Sequence, residues 1–243
     1  MINTLKWVSE KVLETRKNAG FSSVAPIDIW KLLQNEVSII IEPLQSDISG
    51  LFLRKKTTGV ILINSAKMLG HQYFTAAHEY FHYKYDEYNS GACSAGRFDI
   101  INPLEYKADC FAACLLAPDE AIQFFLAKRF SRGLDKKLSL ADVIAMNHYF
   151  GISHNAMLIR LIQSGYIRES DAESMQAGVI VKARELGYTT ELFRPTYKKK
   201  IISDYLEKAM YALDSNLISS GKYGELLLEA GFGDLLFDTE EKG

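Results

Sequence analysis

His78 and His82 stand four residues apart with Glu79 beside the first, the spacing by which one helix offers two imidazoles to a single metal ion. Four residues advance a helix by about 400°, so the two rings lie one above the other, roughly 6 Å apart at Cβ. Glu79 is turned about 100° from His78, too far round to be an equal ligand but well placed to reach a water at the ion. The chemistry this spacing supports is metal-assisted hydrolysis with Glu79 as general base. An amphipathic helix with two hydrogen-bonded histidines has the same pattern, so a third ligand has to decide between them.

A catalytic zinc takes three protein ligands and keeps one position open. Glu105 supplies the missing donor. Residues 103–117 begin with Pro103, run rich in Ala and Leu, and stop at Pro118, the pattern of a buried helix. Glu105 and Asp109 share one face of that helix, the first placed to ligate and the second to accept the N–H of a ligand imidazole. Two imidazoles and a carboxylate suit Zn²⁺ and also accept Mn²⁺ or Fe²⁺.

The stretch Phe74-Thr-Ala-Ala-His-Glu-Tyr-Phe-His82, followed by Glu105-Tyr-Lys-Ala-Asp109 and on to Pro118, resembles the ImmA/IrrE family of metallopeptidases. Ser49 to Phe52 and Gly59 to Asn64 are similar to the two strands that lead into that family's active-site helix, and Phe150 to Leu161 to a small helical element that follows its core. The resemblance implies His78, His82 and Glu105 as zinc ligands and Glu79 as base. It further implies an endopeptidase whose protein substrate is a helix-turn-helix transcription repressor, in a phage or mobile-element setting. Asp109 stands where the family often has Asn. Tyr80-Phe81 replaces its usual Leu-Gly, a bulkier pair to pack against the sheet.

The expected fold is α+β: a small sheet packed with the zinc helix and the Glu-bearing second helix, then a helical, helix-turn-helix-like C-terminal region. Leu5, Val8 and Val12 predict a first helix over residues 3 to 19 that stops at Gly20, and Pro26 opens a short second one. Val37 to Ile41 switches to β-branched residues, and Leu51–Arg54 and Val60–Ile63 form a hairpin through the polar turn 55–59. One strand is expected to lie beside the cleft and offer its edge to an extended substrate. Residues 89–96 read as a loop between the two metal helices. A donor for the oxyanion is sought among His71, Tyr73, Tyr80, Tyr83, Tyr85 and Tyr88, which cluster near the motif.

Three units follow from this pattern: 1–135, a zincin-like peptidase domain; 136–168, a helix-turn-helix-like element; and 169–243, a C-terminal helical region of unassigned role. In the second, Arg160 is the only certain cation of the helix from Ser153 to Ser164, too few to neutralise phosphates, so direct DNA binding is not expected. His148 and His154 read as hydrogen-bonded structural residues. In the third, Lys198 to Lys200 precede a helix from Ile201 to about Asn216, another helix spans Gly221 to Ala230, and the acidic end, Asp238 to Glu241, frays.

Composition narrows the field further. With 243 residues, 48% hydrophobic content and net charge −2, the chain buries a sizeable core and has no global field to draw it to nucleic acid or anionic membranes. Three Cys cannot all pair, Cys110 and Cys114 read as small core residues, and no secretory signal or membrane-length apolar run is evident, which points to a reducing cytoplasm. Two competing readings differ in class: a metal-bound protein that grips a repressor, antitoxin-like, without cutting it, and a DNA-binding regulator using residues 138–168.

Overall fold

A computed structural model describes residues 2–34, 36–55, 58–86, 91–93, 96, 98, 100–130 and 137–230. The first helix, α1 (Ile2–Asn18), ends at Gly20, whose φ of +74° lets the chain reverse, with the Phe21 N–H reaching back to the Arg16 carbonyl. α2 (Ile29–Leu33) starts later than Pro26 suggested. Asp28 is its cap, its side chain accepting from the N–H groups of Trp30 and Lys31.

β1 (Ser38–Glu42), β2 (Gly50–Lys55) and β3 (Thr58–Asn64) follow in quick succession. β2 and β3 pair antiparallel in the expected hairpin, Arg54 opposite Gly59 and Lys55 opposite Thr58; the turn residues 56 and 57 lie outside those described. β1 pairs parallel with β3, Ser38 opposite Val60 through Glu42 opposite Asn64. Ile39 and Ile41, Phe52, and Ile61 and Ile63 are buried on alternating positions, so one face of the sheet joins the core.

α3 (Leu69–Tyr85) lies against β2 and β3, and α4 (Pro103–Leu116) packs on its other side with α1 beyond. Every residue of α3 from Phe74 to His82 is buried, a core helix whose polar residues must find partners inside the protein. Phe81 turns away from the sheet. Its ring meets Trp7 of α1 at 6.2 Å and Phe111 of α4 at 5.7 Å, so the bulk expected against the strands fills the joint between three helices instead. α4 and α5 (Asp119–Arg129) together reach the length and apolarity of a membrane span, with mean hydropathy 1.5; Pro118 breaks them apart, and 67% of that apolar window is buried within the fold.

Two expectations made from local pattern are corrected by pairing between distant segments. Within the stretch read as a loop, Gly91–Cys93 forms β4 and pairs antiparallel with β2, Gly50 opposite Cys93. Farther on, Lys200–Ile202 forms β5 on the other side of the sheet, antiparallel to β1, so Ile201 belongs to a strand and the next helix begins at Tyr205. The strand order is β4-β2-β3-β1-β5. A lysine-flanked edge strand of three residues offers little for another chain to extend.

Between these segments run α6 (Leu140–Phe150) and α7 (His154–Gln163), joined at Gly151 in the left-handed conformation, as the helix-turn-helix pattern predicts. α8 (Glu169–Ser174), α9 (Val179–Glu185), a single 3-10 turn at Glu191–Phe193, α10 (Tyr205–Asp214) and α11 (Ser220–Glu229) complete the described chain. The unit boundary at 135/136 and the acidic end at 238–241 fall outside the described residues.

Candidate metal centre

α3 presents His78 and His82 on one face, and the second turn of that face meets the first turn of α4. Asn102 caps α4, its side chain accepting from the Glu105 N–H, and Pro103 occupies the first helical position. Glu105 is thereby held in a first turn, where the helix dipole favours a carboxylate.

The three expected donors converge. One ligand atom each from His78, His82 and Glu105 lies within 4.8 Å of the others. His78 Nε2 is 3.2 Å from His82 Nε2 and 3.1 Å from Glu105 Oε2, and His82 Nε2 is 3.4 Å from Glu105 Oε1. Donors about 2.0–2.1 Å from a tetrahedral ion stand about 3.3 Å apart along its edges. The separation of the two imidazole nitrogens is close to that edge, and each of them lies near that distance from a different oxygen of the one Glu105 carboxylate.

Carboxylates behind the rings set their orientation. His78 Nδ1 donates to Asp109 Oδ1 at 2.8 Å, and His82 Nδ1 to Asp86 Oδ2 at 3.2 Å. With hydrogens on both Nδ1 atoms, the Nε2 lone pairs face each other and the Glu105 carboxylate. Such a centre calls for positive charge, either a proton on one Nε2 or a metal ion among all three. When the proton sits on His78 Nε2, its hydrogen bond to the Glu105 carboxylate holds that carboxyl below its ordinary range, against the opposing effect of burial. Burial first, and neighbouring His78 second, push His82 below its usual value, so this imidazole resists the proton. The donor set fits a divalent cation.

Asp109 does more than hold one ring. It also accepts the N–H of Gly96 at 2.8 Å and of Phe98 at 2.6 Å, tying the chain between the two metal helices to the back of His78. Asp86 was not singled out by sequence reasoning. It follows His82 by four residues, a legible spacing, but as the C-cap of α3 it has left the helix, with φ −103° and ψ 108°.

Glu79 is fully buried beside His78 and faces the start of β2. A Cβ on Gly50 would stand 3.4 Å from Glu79 Oε1, 2.6 Å from the Thr75 methyl and 2.8 Å from the Leu62 carbonyl, so only glycine leaves this space. β4 pairs with β2 from Gly50 to Phe52, so among the described residues the outer strand on this side of the sheet is β4 and not β2.

The tyrosines near the motif are engaged elsewhere. The hydroxyls of Tyr80 and Tyr83 donate to Glu36, that of Tyr85 lies 3.3 Å from Thr15 Oγ1, and Tyr73 packs edge-on against Trp30. Tyr88 lies outside the described residues. His71, two turns before His78, pairs through Nε2 with Ser49 Oγ at 2.9 Å.

Cys110 and Cys114 are buried free thiols, and burial pushes Cys110 up to about 11, so neither is a ready thiolate. His154 is held at both nitrogens, by Asn147 Oδ1 and the Met175 carbonyl, each at 2.9 Å. His148 stacks on Tyr188 with ring centroids 4.6 Å apart.

No match is found among curated proteins. A family model for Peptidase M78, described as the IrrE N-terminal-like domain, matches residues 34–161, a span that contains the entire cluster and more than half of the chain, and the protein belongs to that metallopeptidase family.

Proposed function

We propose that this protein is a zinc-dependent endopeptidase in which His78, His82 and Glu105 hold the ion, Glu79 is the general base, and the substrate is a helix-turn-helix transcription repressor. The observation that carries the metal chemistry is the set of donor separations, 3.1, 3.2 and 3.4 Å, around a point that two buried imidazoles and one carboxylate share. A bound divalent cation supplies Lewis acidity, acidifying water and polarising a carbonyl. Glu79, beside His78 and sealed from bulk solvent, takes the proton from the attacking water and passes it to the leaving amine. Asp109 and Asp86 keep each ligand ring turned so that Nε2 faces the centre.

The repressor as target rests on the ImmA/IrrE likeness. Against the DNA-binding reading, Arg160 is buried, with its guanidinium on Asp119 at 2.8 Å and on the Ala117 carbonyl at 3.0 Å, so α7 cannot turn it to phosphate.

Co-expression with the helix-turn-helix regulator encoded nearest to it tests the proposal. Zinc-dependent fragments are expected from the wild type. Glu79→Gln should keep about one zinc per chain, by elemental analysis, and release none. Cleavage by that variant would overturn the role of Glu79, and an intact complex with the wild type would favour the non-cleaving binder.

A further inference from the structure

A cavity opens between the N-terminal ends of α3 and α7 and the segment 176–193. Its volume is about 640 Å³, within the ~300–1,000 Å³ range of small-molecule sites. None of the four residues assigned to metal binding and hydrolysis lines it. His71, the nearest lining residue on α3, stands about 10 Å along the helix axis from His78.

The walls are largely apolar. Leu192 and Phe193, both 7% exposed, form part of the lining, with Met68 and the Val179–Val181 run completing it. Its polar groups have one charge sign. Among the described residues no Asp or Glu lines the cavity, and Lys67 is its single lysine or arginine. The ammonium of Lys67 has a weak partner, the fully exposed Asp47 at 3.9 Å. Beside it the first turn of α7 begins, where helix geometry leaves the N–H groups of His154 and Asn155 without intrahelical acceptors. The two lining histidines add no charge near neutral pH, because burial pulls His71 down to about 4 and also lowers His154.

We propose that this cavity binds a free amphiphilic carboxylate, an apolar chain or ring system seated between Met68, Val179 and Phe193 with its anionic head at Lys67 and the start of α7. The site sits close to the hydrolytic centre through a short chain of contacts. His71 lies in its wall, and a Cβ on Gly96 would meet the His71 ring at 3.4 Å. Gly96 in turn donates to the oxygen of Asp109 that holds His78.

Calorimetric titration of the full chain with decanoate and decyltrimethylammonium below their micelle concentrations, and with decanol below its solubility limit, tests the assignment without any activity measurement. One saturable site is expected for decanoate, at least tenfold tighter than for the cationic analogue. Lys67→Gln should weaken decanoate about tenfold and leave decanol unchanged. Val181→Trp, at a position 60% exposed on the rim, should weaken both without lowering the melting temperature. Co-sedimentation with phosphatidylglycerol vesicles should be absent, since the ligand is a detached single molecule. Equal binding of all three decyl compounds, absence of saturation, indifference to Val181→Trp, or vesicle binding in place of decanoate binding would each overturn the proposal.

Discussion

Replacing Asp109 with alanine strips one carboxylate from three donors at once. The His78 Nδ1–H, on a side chain only 1% exposed, loses its acceptor at 2.8 Å, and the N–H groups of Gly96 and Phe98 lose theirs at 2.8 and 2.6 Å. A buried donor left without a partner costs about 1–3 kcal/mol, and the two backbone groups, partly buried, recover some of this from water. Releasing a carboxylate that is itself 2% exposed returns part of the cost. The net destabilisation of the metal-free protein is then about 2–4 kcal/mol, a large share of the 5–15 kcal/mol that typically holds a domain together. Zinc affinity should fall as well, by about 10–100-fold, because His78 is free to turn its Nε2 from the centre. Urea unfolding of the metal-free chain reads the first effect, and competition against a chromophoric chelator reads the second. Asp109→Asn separates them further: its carbonyl can still serve His78 and Gly96 while its amide faces the Phe98 N–H, so it should lose about a third as much stability and keep most of the zinc affinity. Unchanged zinc affinity in Asp109→Ala would refute the idea that this carboxylate orients a ligand ring.

Gly50→Ala should destabilise by about 1–3 kcal/mol and slow hydrolysis beyond what the lost stability explains, since the new methyl must displace Thr75, the Leu62 carbonyl or Glu79; urea midpoints and turnover rates measure the two parts. Acid should weaken the metal-free protein through His71, which burial chiefly, and Lys67 next, hold neutral down to about pH 4, whereas the unfolded chain takes up the proton from about 6.5. Proton uptake therefore favours unfolding as pH falls through that window, by roughly 2–3 kcal/mol at pH 4.5, and His71→Gln should remove that part of the slope in urea midpoints taken at pH 7 and 4.5. Arg160→Ala should cost about 1–3 kcal/mol by the same assay, chiefly by leaving the buried Ala117 carbonyl unpaired, since the half-exposed Asp119 is taken up by water and by the Ser164 hydroxyl. A gel-shift assay at low and high salt should show no salt-sensitive DNA binding by the wild type.

The metal centre was legible because its parts are local. His78, Glu79 and His82 share one helix, and Glu105 and Asp109 share another, so helical periodicity alone fixes which atoms face the same way. What spacing could not supply was everything set by contact between distant segments. Asp86 lies past the end of α3, and only the extended backbone of that cap turns its carboxylate back to His82. Gly91–Cys93 has too few residues for a strand pattern of its own and becomes one because β2 offers a partner. Ile201 and Ile202 read as the start of a helix, and pairing with β1 makes them a strand instead. Spacing did not choose among the tyrosines near the motif and favoured packing for most of them; Glu36, more than forty residues earlier, holds two of their hydroxyls.

The antiparallel pairing of β5 with β1 joins residues 39–41 to residues 200–202. During synthesis, the isoleucine-rich strand made near the beginning must wait for more than 150 further residues before its outer side gains a neighbour. A fragment stopped after α7 would contain the candidate metal ligands His78, His82 and Glu105 yet leave that side bare, with Ile39 and Ile41 in a strand free to recruit another copy. Shortened versions of this protein should therefore clump when expressed, even though the candidate metal ligands all lie before residue 106, and a longer fragment that retains the segment through Ile202 should stay in solution.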